Sequence, residues 1–203
     1  MSIKVLGISS SPRAGGNSDT LLKEALRGAE SAGAACESVA LRDRQISPCV
    51  ECNACYKTGV CRVQDDYQPL FQKMLEADRL VFATPIFFMA VCAQGKLLID
   101  RCQCLWARKY VLKQPLFSPP RPNRHALVIA VGGSKSEKMF ECIRLTMKYY
   151  FDVLEMKYAG NLFFNRVDGY GDVEKHPKAL TQAFEAGRRL ALLSDEPEGS
   201  IMG

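Results

Sequence analysis

Five short apolar runs, each followed by a stretch of helical periodicity, alternate along this chain of 203 residues, and that alternation limits the fold more than any other feature. Ile3 to Ile8 reads as a buried strand interrupted only by Lys4 and Gly7, and Thr20 to Ala32 places Leu21, Leu22, Ala25, Leu26 and Ala29 on one helix face. Cys36 to Leu41 reads as a second strand, and Asp65-Asp66 ahead of Tyr67 and Pro69 reads as a capped helix start. Leu80 to Thr84 is a third strand, Ala93 to Tyr110 a helix, His125 to Gly132 a fourth strand, Ser136 to Tyr150 a helix, Leu154 to Phe164 a fifth strand and His176 to Leu193 a closing helix. Such an order implies an α/β fold: a doubly wound, five-stranded parallel sheet covered on both faces with right-handed crossovers. A ligand crevice is then expected at the carboxyl ends of the strands. Residues 1–193 are expected to form one domain, Gln114 to Asn123 a proline-rich loop, and 194–203 a disordered tail.

After the second strand comes a cysteine loop, residues 47–66. Cys49, Cys52, Cys55 and Cys61 fall within thirteen residues with the spacing C-x2-C-x2-C-x5-C. Three thiolates from one tight run and a fourth beyond Thr58-Gly59 match the way a cubane iron–sulfur cluster is held. A zinc site usually gathers two separated cysteine pairs, and a set of reactive or disulfide-forming thiols is the remaining alternative. Nine cysteines, an odd number, suit a reducing compartment better than a disulfide scaffold. With no basic leader segment and no apolar window near the ~18 residues of a membrane span, the chain is expected to be soluble and cytoplasmic.

Three loops leave the carboxyl ends of strands with ligand chemistry of their own. The run Ser9 to Ser18 offers hydroxyls and backbone N–H groups at a helix N-terminus, which favours a phosphate, and Arg13 can add a charge-assisted hydrogen bond. It is neither a Walker loop nor G-x-G-x-x-G, which argues against ATP and the usual dinucleotide site. Ser9, Ser11, Pro12, Arg13, Asn17 and Ser18 are its candidate ligands. Thr84, Pro85, Ile86, Phe87 and Phe88 carry apolar and aromatic surface past the third strand, and Gly132, Gly133 and Ser134 allow a backbone to approach something planar. A phosphate loop, an aromatic loop and a glycine loop in that order describe an FMN site on a flavodoxin-like sheet of strand order 2-1-3-4-5.

The net charge of +5 is mostly local, in Arg101, Arg108, Lys109, Lys113, Arg121 and Arg124. That stretch reads as a solvated helix face with its loop, as a docking surface for an acidic redox partner, or as a site for nicotinamide phosphates. Nucleic-acid and membrane partners are not expected. Cys102 and Cys104, two apart on a helix, are expected on different faces, and Cys92 could approach the flavin. His125 and His176 read as structural, so no side chain is assigned as a catalytic acid or base.

At Gly7 to Arg13 with Gly16-Asn17-Ser18, the four-cysteine run, Asp65-Asp66, Ala77-Asp78 through Phe88, and Lys96 to Arg101, the chain resembles the iron–sulfur flavoprotein family, within the flavodoxin-like NAD(P)H-dependent FMN reductases. The resemblance implies one FMN per chain, a [4Fe–4S] cluster on Cys49, Cys52, Cys55 and Cys61 that preparation in air can remove, and a homodimer or homotetramer with cluster and flavin close across an interface. It implies a flavin-dependent oxidoreductase exchanging electrons between a one-electron carrier such as ferredoxin, or NAD(P)H, and a small-molecule acceptor. A cluster-free NAD(P)H-dependent FMN or quinone reductase and a flavin or thiol redox sensor are the alternatives. The stretch from Arg108 to Arg124 is longer and more proline-rich than the family pattern.

Overall fold

A computed structural model describes residues 2–194, and the tail expected over 194–203 lies, from residue 195 on, outside the described residues. Strands β1 (Lys4–Ser9), β2 (Ala35–Ala40), β3 (Arg79–Phe87), β5 (His125–Val131) and β6 (Lys157–Phe164) form a parallel sheet in the order β2-β1-β3-β5-β6. With the two-residue β4 (Ala90–Val91) set aside, this is the expected flavodoxin-like order. β4 pairs back antiparallel onto the end of β3 through Ile86↔Val91 and Phe87↔Ala90.

Successive side chains of a strand point to opposite faces, and here both faces are covered. Leu6 and Ile8 of β1 and Leu80 and Phe82 of β3 face a layer with Met74 of α3 (Tyr67–Glu76), Leu98 of α4 (Ala93–Arg101) and Met147 of α6 (Glu141–Val153). Val5, Val81 and Ile129 face the opposite layer, Leu22 of α1 (Asn17–Ser31) and Leu190 of α8 (Ala179–Leu192); α2 (Cys55–Thr58) and α7 (Asp172–Lys175) are single helical turns. α1 and α8 cross so closely that a Cβ on Gly28 would lie 1.9 Å from the Phe184 carbonyl oxygen, and one on Gly187 would lie 1.8 Å from that of Ala25. Glycine is required at both positions because backbone meets backbone there.

Some boundaries differ from the sequence reading. The last strand starts at Lys157 because Leu154 to Met156 close α6: Glu155 adopts φ 53° and the Met156 N–H bonds the Phe151 carbonyl at 2.9 Å. A 3-10 turn, Glu137–Phe140, precedes α6. The helix expected over 93–110 is broken at Cys102, continuing as α5 (Gln103–Trp106) and one π-helical turn, Ala107–Val111. The break turns both Cys102 and Cys104 toward Tyr67, whose hydroxyl lies 3.7 Å and 3.2 Å from their sulfurs. The two cysteines therefore do not face apart as a continuous helix requires.

Candidate functional site

At the carboxyl ends of β1, β3, β5 and β6 a cleft of about 140 Å³ is lined by Ser11, Pro12, Arg13, Gly16, Asn17 and Ser18, by Pro85, Ile86 and Phe87, by Val131, Gly132 and Gly133, and by Val167 and Asp168. The three loops singled out in sequence thus share one cavity. Ser9 and Thr84 do not line it. Ser9 is buried, donating its hydroxyl to Asp19 while accepting from the Ser11 N–H at 3.3 Å, and Thr84 donates to the Pro85 carbonyl at 2.8 Å. Ser134 and Phe88 also lie outside the lining. Cys92 is buried beneath the first loop, donating to the Ser10 carbonyl oxygen at 2.9 Å, and does not reach the cleft. Val167 and Asp168 also line the cleft, because the loop after the fifth strand leaves the same sheet edge; topology is the signal in the sequence that points to them.

The cleft suits an anion at its β1 end. Helix α1 opens at Gly16 with no side chain capping its first N–H groups, which leaves donors and the positive end of the helix dipole to a ligand. The Asp19 carboxylate in the first turn would oppose an anion, but Arg42 pairs with it at 2.9 Å and the Gly15 N–H bonds it at 3.0 Å. Arg13 is exposed on the cleft wall. Asn17 is held elsewhere, its amide donating to the Gly169 carbonyl at 2.8 Å and accepting from the Val173 N–H at 3.2 Å, so what it leaves toward the cleft is backbone. At the other end, Gly132 and Gly133 make room that a side chain would fill: a Cβ on Gly133 would lie 2.9 Å from the Asp168 carboxyl carbon. Phe88 and Met89, at φ 50° and 62°, form the two-residue turn between β3 and β4. That conformation costs bulky residues of order 1–3 kcal/mol each and is usual only for Asn or Gly. It leaves Phe88 fully exposed beside the cleft.

The cysteine loop leaves the carboxyl end of β2. Its two ends are stitched together: Asp65 accepts from the Ser47 N–H at 2.9 Å and Asp66 from the Gln45 N–H at 2.7 Å. Arg101, with its side chain wholly buried, donates to the Ser47 carbonyl at 3.0 Å, the Val63 carbonyl at 3.0 Å and the Asp65 carboxylate at 2.6 Å. Its guanidinium also lies 4.7 Å above the Tyr67 ring. Within the loop, Glu51 and Asn53 at φ 50° and 55° bend the chain on either side of Cys52, and Gly59 at φ 70° bends it before Cys61. Cys49 and Cys52 are exposed, while Cys55 and Cys61 pack against the core. Burial raises the Cys55 pKa, and the neighbouring Cys49, Cys52 and Cys61 raise it further. Four thiolates so placed repel one another unless a cation lies among them. As the side chains stand, no three Cys, His, Asp or Glu residues among the described residues are gathered closely enough to hold a metal ion. One further observation bears on the fit of a cluster: the Arg101 Nε is buried with no hydrogen-bond partner among the described residues. A thiolate-bound cluster is an acceptor of the kind that atom lacks.

The larger cavity, about 450 Å³, opens beside Cys49 between Trp106, Tyr149 and Tyr150. It has neither a phosphate loop nor a glycine loop, so its size does not make it the cofactor cleft. The basic stretch is not a continuous solvated face. Arg101 and Arg124 are buried, Arg124 donating to the Ala77 carbonyl at 3.0 Å and the Met74 carbonyl at 2.6 Å. Arg121 pairs with Asp78 at 2.6 Å and Lys109 with Asp152 at 2.7 Å. Most of that charge holds the fold together. No helix among the described residues is long and apolar enough to cross a membrane.

Residues 3–169 match the family described as NADPH-dependent FMN reductase. An iron–sulfur flavoprotein of Methanocaldococcus jannaschii is 41% identical over 103 residues, 51% of this chain and 53% of the relative, so the chain spans about half of that protein's length. An iron–sulfur flavoprotein of Archaeoglobus fulgidus is 32% identical over 146 residues, covering 72% of this chain and 70% of the relative. Among solved structures, a flavone reductase superposes with a TM-score of 0.70 at 23% identity over 99% of this chain and 66% of the other, a likeness of fold.

Proposed function

Because the chain belongs to the iron–sulfur flavoproteins within the NADPH-dependent FMN reductase family, we propose that it is an FMN-dependent electron-transfer oxidoreductase carrying a [4Fe–4S] cluster on Cys49, Cys52, Cys55 and Cys61. It exchanges electrons between a one-electron carrier such as ferredoxin, or NAD(P)H, and a small-molecule acceptor. The observation that carries this reading is one sheet edge bearing both features: a cleft built from the phosphate, aromatic and glycine loops, and a stitched loop presenting four thiols.

When bound, FMN exchanges one or two electrons and the cluster one, which is the chemistry the pair supplies. The protein's part is to bind, orient and shield. Backbone N–H groups at the start of α1, with Arg13, would hold the phosphate; the Ser11 hydroxyl, which donates to the Arg13 carbonyl at 2.9 Å, would shape the loop around it, and Arg42 keeps Asp19 from opposing the anion. Pro85 to Phe87 and Gly132-Gly133 would flank the flat ring, with the Gly132 N–H held by the Phe164 carbonyl at 3.0 Å. No side chain of the cleft is required as a general base. A homodimer or homotetramer belongs to the same proposal, supported by the exposure of Phe87, Phe88 and Met89 at the cleft and of Trp106, Tyr110 and Tyr149 near the cysteine loop.

Iron, sulfide and flavin analysis of protein purified without oxygen tests the proposal. About four irons and one FMN per chain are expected, since four thiolates hold one cubane. Flavin with zinc, or with no metal, overturns the cluster, and failure to bind FMN overturns the whole reading. Stopped-flow reduction by ferredoxin and by NADPH identifies the donor class.

A further inference from the structure

Arg101 joins both ends of the cysteine loop, yet one of its nitrogens is left without a partner. Its two terminal nitrogens are engaged by Ser47 and Val63, each two residues outside the outermost cysteines, and by Asp65. Those contacts and the Tyr67 ring at 4.7 Å leave the guanidinium little freedom to turn. Nε is buried without an acceptor, and the Cys61 thiol lies beside this guanidinium. A buried donor without a partner is unfavourable, and this one belongs to a group whose other nitrogens are well matched. A ligand sulfur of a bound cluster would remove that deficit.

We propose that Arg101 is a positioning residue for the cluster: its fixed positive charge beside Cys61 and its unpartnered Nε–H, available to a ligand sulfur, raise the reduction potential of the metal centre, while Asp65 sets how far. The proposal rests on the cluster reading above. A cluster gains one negative charge on reduction, so a nearby guanidinium favours the reduced form, and hydrogen bonds to ligand sulfurs act in the same direction. The Asp65 carboxylate at 2.6 Å opposes this by offsetting part of the charge. The two members of one ion pair should therefore move the potential in opposite directions when removed.

The test is an EPR-monitored redox titration of anaerobically prepared holoprotein, with the flavin couple as internal reference. Arg101→Gln is expected to lower the ratio of reduced to oxidised cluster about tenfold at a fixed potential, ~59 mV for one electron. Asp65→Asn is expected to raise it, and Arg101→Lys, which keeps the charge, is expected to fall between Arg101→Gln and the original protein. A purely structural clasp predicts shifts of the same sign in Arg101→Gln and Asp65→Asn, or none, and either result overturns the proposal. If Arg101→Gln does not load iron, Asp65→Asn decides alone: an upward shift supports the proposal, and no shift or a downward one overturns it. Original protein prepared without oxygen that contains no iron overturns the cluster reading and this proposal together, whereas iron present with potentials unmoved overturns this proposal only.

Discussion

Asp65 and Arg101 meet at 2.6 Å beneath the cysteine loop, and the same carboxylate accepts from the N–H groups of Ser47 and Tyr67, each at 2.9 Å. Burial acts to raise the Asp65 pKa, but the guanidinium and the two N–H groups outweigh it and hold the carboxyl below its ordinary value. A depressed folded-state pKa gives stability that is present above the unfolded carboxylate pKa of about 4 and is lost as pH falls through the folded value. Asp65→Asn is therefore expected to destabilise the protein at pH 7 by about 3 kcal/mol, the scale for stranding a buried charge. The gap should close below about pH 4. Urea unfolding of both proteins at pH 7 and pH 3 measures it, and a gap undiminished at pH 3 would show that the ion pair is not its source.

Arg13→Ala removes a hydrogen bond to a charged group, worth about 1.5–3 kcal/mol, so FMN affinity is expected to fall roughly tenfold to a hundredfold. Riboflavin, which lacks the phosphate, should bind both proteins alike. Flavin fluorescence titration distinguishes the two ligands, and equal FMN affinity would place the phosphate away from this loop.

Cys52→Ser is expected to abolish iron binding and leave FMN stoichiometry unchanged, because the cysteine loop leaves β2 while the cleft is lined from the ends of β1, β3, β5 and β6. Parallel iron and flavin assays on the anaerobically prepared variant check this. Loss of both would show that the two sites are not separable.

Gly187→Ala drives a methyl group into the Ala25 carbonyl, 1.8 Å away. Overpacking against side chains costs about 1–3 kcal/mol, and a backbone neighbour yields less readily. A loss of about 3 kcal/mol is expected, which for a domain of this size lowers Tm by roughly 6–12 °C. Calorimetry gives the value, and an unchanged Tm would mean that α1 and α8 can move apart freely.

The legible parts of this molecule were those set by local pattern and by topology. The strand order and the meeting of the Ser11, Pro85 and Gly132 loops follow from alternating elements, because every such loop emerges at the same sheet edge. What could not be read depended on contacts distant in sequence. Ser9 looks like a phosphate ligand until Asp19 folds back onto its hydroxyl. Arg101 and Arg124 look like surface charge in a basic run, and their burial depends on carbonyls supplied by Val63 and Met74. The facing of Cys102 and Cys104 toward one hydroxyl needed a helix break that neither proline nor glycine announces.

The close crossing of α1 and α8 ties one end of the cleft to the last described element of the chain. Chains emerge from the ribosome amino end first, and the clasp on the cysteine loop is complete once Arg101 has been made. The cleft has to wait for Val167 and Asp168, and the helix whose N-terminus forms its anion end is backed by α8, the last described element. A nascent chain can thus present its four thiols while the cleft is still missing a wall, so the two sites meet their surroundings at different stages of synthesis.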